Sequence, residues 1–124
     1  MPTGSGDGAV AKRSVAAAKS DVLKGTLDML VLHTLTVQRM HGYAIAQHIK
    51  RMTDDALHLE AGSLYPALER LQKKGWLTSR WEASSTGRKA RYYAITAAGR
   101  RQLGEELSGY DRAVWAIARV LNRA

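Results

Sequence analysis

The sequence predicts a mostly helical α+β fold, and three observations carry that prediction. Between about residues 21 and 75, apolar residues recur at three- and four-residue spacing in three successive segments. Two short runs rich in aromatic and β-branched residues follow, separated by the turn sequence SSTGRK. Helical spacing then returns, with Leu103, Leu107, Tyr110, Val114, Ile117 and Leu121 at alternating steps of four and three.

Each element has its own justification. Residues 1–20 are rich in Gly, Ala and Ser and lack periodicity, so a disordered basic arm is expected. Its Lys12, Arg13 and Lys19 could touch a polyanion or could be idle. The first helix is expected from Asp21, as N-cap, to Gln38. Leu23, Leu27, Leu30, Val31 and Leu35 form its stripe, and Met29 and Leu32 lie off it, so this helix needs more than one packing partner. His41 and Gly42 mark a break, where a ring nitrogen of His41 is expected to hold the bend. A second helix runs from Tyr43 to Met52, with Ala44, Ile45, Ile49 and Met52 inward. Leu57, His58 and Leu59 read as a short extended segment or small strand.

The third helix is expected from Ser63, a good N-cap, to the stop at Gly75, with Pro66 in the first turn. Leu64, Ala67, Leu68 and Leu71 face inward, which leaves Gly62, Pro66, Glu69, Arg70 and Lys73 on the opposite face and Tyr65 at its edge. Strands are expected at Trp76–Glu82 and Ala90–Thr96. Two strands alone are marginal in water, so Trp76, Leu77, Tyr93 and Ile95 must pack on the helices. The last helix should run from Ala97 to Asn122. Its heptad-like seam has no later element to cover it, which predicts a second copy of the chain.

Composition narrows the function. The 124 residues are the size of one domain, and 45% hydrophobic content can form a modest core. The absence of cysteine excludes disulfides, thiolate zinc sites and cysteine nucleophiles, and fits a reducing compartment. No apolar run is long enough to span a membrane and no signal-peptide core is present, so no membrane partner and a cytoplasmic location are expected. The net charge of +8 points to a polyanion. Between Ser63 and Arg101 stand Arg70, Lys73, Lys74, Arg80, Arg88, Lys89, Arg91, Arg100 and Arg101, opposed only by Glu69 and Glu82.

The order helix, helix, helix, strand, basic turn, strand, long helix is that of a winged helix-turn-helix at residues 21–96, with a dimerisation helix at 97–124. A major groove about 12 Å wide accepts one helix, and the third helix would offer it Tyr65, Pro66, Arg70 and Lys73. Arg70 reads equally as an ion-pair partner at the core edge. On the wing, Arg88, Lys89 and Arg91 would neutralise phosphates. Trp115 reads as packing beside the seam or as the wall of an effector pocket.

Other chemistry finds little support. His33, His41, His48 and His58 lack metal-ligand spacing, and no cofactor is expected. There is no phosphate-cradling glycine loop and no serine elbow, so the chain does not read as an enzyme. The rival readings are a winged helix that docks on protein without binding DNA, and a metal-sensing regulator.

The segments LKGTLDMLVLHTL, HGYAIAQHI, GSLYPALERLQKKGWL and GRKARYYAITAAGR resemble the PadR family of transcriptional regulators, in that order and over about Val22 to Leu121. The single terminal helix is similar to the small-domain branch of the family. The resemblance implies a dimeric repressor on a palindromic operator, with a dimer interface on the first and last helices, here Leu23, Leu27 and Leu30 with the seam from Leu103 to Leu121. It implies a backbone-contacting Tyr43, a recognition helix opening at Ser63 and Tyr65, and a wing carrying Arg88, Lys89 and Arg91. It also implies response to a small aromatic or hydrophobic effector.

Overall fold

The computed structural model describes residues 22–123; the expected arm at 1–20, the Asp21 cap and the Leu23 side chain lie outside the described residues. The elements are α1 (Val22–Thr34), β1 (Met40–His41), α2 (Gly42–Met52), α3 (Ala61–Lys73), β2 (Leu77–Ala83), β3 (Lys89–Ile95) and α4 (Ala97–Val120).

α1 buries Leu27, Met29, Val31 and Leu32, so it is apolar on more than one side. It packs on α2, α3 and α4, which accounts for that. It ends at Thr34, short of the expected Gln38. The Thr34 hydroxyl donates to the Leu30 carbonyl at 2.8 Å and the Thr36 hydroxyl to the His33 carbonyl at 2.6 Å. Such bonds offer terminal carbonyls a partner other than the next helical amide.

α2 begins one residue before the expected Tyr43, and His41 Nδ1 caps it by accepting the Ala44 N–H at 3.1 Å. Its far end closes with Asp54 at φ 49°, whose N–H reaches the Arg51 carbonyl while the Asp55 N–H reaches that of Lys50. Met52, expected inward, is 72% exposed. It continues the stripe of Ile45 and Ile49 but stands at the last helical residue, between the exposed Arg51 and the exposed turn at Asp54 and Asp55. Of the two readings of Leu57–Leu59, the small strand does not form. Thr53 Oγ1 accepts the Leu57 N–H at 3.1 Å, and Leu59 enters the core as irregular chain. The third strand is instead Met40–His41, paired antiparallel with Tyr93 and Tyr92.

α3 starts at Ala61, two residues before the expected cap at Ser63, with Glu60 at the cap position and no side-chain capping bond. Pro66 is therefore a sixth helical residue rather than a first-turn one. It offers no N–H to the Gly62 carbonyl; Gly62 is exposed, so water can serve that group. Gly75, at φ 78°, ends the helix as expected: its N–H bonds the Gln72 carbonyl and the Trp76 N–H that of Leu71.

The sheet order is β1-β3-β2, with β2 and β3 in register from Leu77↔Ile95 to Ala83↔Lys89. Leu77 and Tyr93 are buried against the helices, with Trp76 and Ile95 packed beside them. Thr96 then caps α4: its Oγ1 accepts the Gly99 N–H at 3.0 Å and donates to the Gly75 carbonyl at 2.7 Å. Leu103 is the last α4 side chain in the core; Leu107, Tyr110, Val114 and Ile117 are exposed along the rest of the helix, and Leu121 is exposed at its C-cap, short of the expected end at Asn122.

Candidate nucleic-acid interface

α2 and α3 form the helix-turn-helix pair, and their approach is set at Gly42. A Cβ there would stand 2.7–2.9 Å from the Tyr65 ring atoms, so only glycine lets the ring lie over the start of α2. The pattern HGY thereby acquires a physical meaning. His41 caps the helix, Gly42 admits Tyr65, and Tyr43 is left 67% exposed with its ring stacked on His41 at 6.5 Å.

The outer face of α3 presents Tyr65, Pro66, Glu69 and Lys73 to solvent, and Ser63 is half-buried. Arg70 does not share that freedom. Its guanidinium is paired with the Asp28 carboxylate of α1, so of its two sequence readings the structure adopts the ion pair.

The wing alternates as a two-faced hairpin must. One face carries Leu77, Ser79 and Trp81 on β2 opposite Ile95, Tyr93 and Arg91 on β3. Near the body this face is buried; farther out it opens beside α3 into a groove of about 350 Å³ lined by Tyr65, Pro66, Glu69, Gln72, Arg91 and Tyr93. Burial pushes the Tyr93 phenol above its ordinary pKa. Arg91 Nε donates to Ser79 Oγ at 2.8 Å, and Ser79 Oγ donates to Gln72 Oε1 of α3 at 2.8 Å. The Arg91 guanidinium also lies 5.9 Å from the Trp81 ring centroid. Arg88 and Lys89 are exposed at the tip, where Gly87 at φ 84° makes the turn.

The other sheet face carries an ion cluster. Glu82 accepts from Arg39 at 2.5 Å and from Arg80 at 2.9 Å, and Arg39 also lies 5.7 Å from the Tyr92 centroid. The Arg39 hydrogen bond, with help from Arg80, holds the Glu82 carboxyl below its ordinary pKa, and Glu82 raises that of Arg39.

The structure thus gathers Tyr43, Tyr65, Pro66, Lys73, Arg88, Lys89 and Arg91 as exposed side chains of the helix-turn-helix and wing, and sets Arg70 apart. Sequence reasoning missed Trp81, which is 61% exposed, and Ser79 and Arg39. Trp81 was recoverable: it keeps the alternation of Leu77 and Ser79 and so had to share their face. The Arg39–Glu82 pair spans 43 residues and left no local signal.

Of the residues assigned to a dimer seam, Leu27 and Leu103 are buried in this chain's own core and Leu30 packs partly against it. Trp115 is 64% exposed, with the Arg119 guanidinium 5.3 Å from its centroid. It lines neither the groove beside α3 nor the concavity between α1 and α4 formed by Thr26, Met29, Glu106 and Tyr110 among others. Among the described residues no group of three or more His, Asp or Glu could hold a metal ion, and no helix is long and apolar enough to cross a membrane.

Residues 31–105 match the model of the transcriptional regulator PadR-like family. An uncharacterized protein of Lysinibacillus sphaericus is 32% identical over 87 residues, 70% of this chain and 80% of that one. Among solved structures, a transcriptional regulator from Clostridium thermocellum is 27% identical with a TM-score of 0.71, over 83% of this chain and 96% of its own. A PadR-like transcriptional regulator from Bacillus cereus is 29% identical with a TM-score of 0.69, over 80% and 94%.

Proposed function

The chain belongs to the PadR-like family of transcriptional regulators, and on that premise we propose that it is a homodimeric repressor that binds a palindromic DNA operator. α3 enters the major groove, and the wing reaches the flanking backbone. The observation that carries this reading is the flank shared by α3 and the wing. Lys73, Arg88, Lys89 and Arg91 are all exposed, and a groove runs between the two elements. Glu69 is the one acidic side chain lining that groove; facing a base edge it would accept from cytosine N4, where facing a phosphate it would repel.

The exposed seam of α4 supports pairing with a second copy. Leu107, Tyr110, Val114, Ile117 and Leu121 lie on one side of a helix that has left the core. Two copies would carry two recognition helices to half-sites one turn apart, about 10 base pairs. A small aromatic or hydrophobic effector seated between the copies would release DNA by changing that separation. Trp115 serves such a pocket only when a second α4 lies against it, since in the single chain its indole is open.

The test is titration of the purified protein against duplexes at several salt concentrations. Log affinity should fall linearly with log salt, with a slope of about −0.9 per phosphate engaged. A flat response would favour the protein-docking winged helix instead.

A further inference from the structure

Wing and recognition helix are joined by a short relay of polar atoms. Arg91 Nε on β3 donates to Ser79 Oγ on β2, and the Ser79 hydroxyl donates to Gln72 Oε1 in the last turn of α3, each bond 2.8 Å long. The donors run one way, from guanidinium through hydroxyl to amide oxygen. Arg91 is thereby held on an edge by Ser79 and on a face by the Trp81 ring. Its two terminal nitrogens make no hydrogen bond to an acceptor among the described residues, and Arg91 lines the groove beside α3. A guanidinium offers five donors in one plane, so fixing Nε–H fixes the direction of the other four. An arginine ordered before binding loses less rotamer freedom when it meets a phosphate.

We propose that Ser79 and Gln72 are positioning residues that lock the Arg91 guanidinium in register with the recognition helix, so that helix and wing engage one duplex as a rigid unit. The proposal rests on the DNA-binding reading above. Neither residue touches DNA in it; each acts through Arg91.

The experiment uses the full chain and two probes: a duplex selected by the wild-type protein from a randomised pool, and the unselected pool. Wild-type protein that selects no duplex and binds without salt dependence overturns the DNA-binding reading itself, whatever the variants do. Given selection, Ser79→Ala should weaken binding to the selected duplex about five- to tenfold, the scale of one ordered hydrogen bond. The slope of log affinity against log salt should shrink by about 0.9, one phosphate. Gln72→Ala should act in the same direction. Ser79→Thr, which keeps the hydroxyl, should restore both affinity and slope, a rescue that a merely structural strand position would not require. Arg91→Ala should weaken binding, and adding Ser79→Ala to it should cost little more, because the two act as one unit. Losses that add in the double variant would overturn the proposal, as would a Ser79→Ala protein with wild-type affinity and slope.

Discussion

At the scale of single residues, two glycines carry more of the fold than their size suggests, and they do so differently. A Cβ on Gly99 would stand 2.2 Å from the Trp76 carbonyl oxygen and 2.8 Å from Ile95 Cγ1. The carbonyl belongs to backbone that also accepts the Thr96 N–H at 3.0 Å, so it cannot yield. Gly99→Ala should therefore destabilise the fold by about 2–3 kcal/mol, read as a lowered thermal midpoint. At Gly42 the obstacle is the half-exposed ring of Tyr65, which can swing aside. Gly42→Ala should cost only about 1 kcal/mol, because the strain relaxes through a side chain. On the proposed function it should also weaken duplex binding several-fold, since Tyr65 leaves its place on α3. A Gly42→Ala protein that melts early but binds DNA normally would contradict that placement.

At the scale of elements, α4 divides into a half that belongs to the fold and a half that projects from it. Leu103 is in the core; Val114 and Ile117 are exposed. Leu103→Ala should destabilise each chain by about 2–4 kcal/mol, the loss of transfer energy plus a cavity. On the proposed pairing of two copies, Ile117→Glu should leave each chain folded and shift the protein toward monomer, as measured by sedimentation. An Ile117→Glu protein that stays dimeric would place the contact between copies elsewhere. α4 was legible in the sequence because its spacing is long and regular and Thr96 caps it. The division within it was not, because a stripe of apolar residues reads alike whether the chain's own core or a second copy covers it. The two-residue β1 was illegible for a different reason: two residues have no periodicity, and Met40 and His41 become a strand only because Tyr93 and Tyr92 lie opposite.

At the scale of the whole molecule, charge governs both stability and the proposed partner. The chain carries a net +8, and Glu82 is the one carboxylate between Leu77 and Ile95 on the basic wing. Its pKa is held down in the folded protein, first by the Arg39 hydrogen bond and then by Arg80. A depressed carboxylate stabilises the fold above its unfolded pKa of about 4.3, and that contribution fades as pH falls through the folded value. Glu82→Gln should therefore lower stability at pH 7 and flatten the acid limb below about pH 4. Denaturant titration at pH 7 and pH 3 checks both. Arg39 enters β1 and Arg80 lies on β2, so this cluster also ties the edge of the helical body to the wing.

The sequence by itself determined the order of the four helices and the two wing strands, the inward stripe of α3, the Gly75 stop and the basic, glycine-turned wing. These follow from short-range physics: three- and four-residue spacing, alternation on strands, and backbone conformations that glycine accepts. Tertiary structure alone decided that Arg70 pairs with Asp28, that Gln72 meets Ser79 and Ser79 meets Arg91, that Glu82 draws in Arg39, and that Leu27 and Leu103 are enclosed by their own chain. Each of those outcomes depends on which surfaces are brought face to face, and a polar or apolar side chain carries no mark of its partner until the packing of helices on the sheet supplies one.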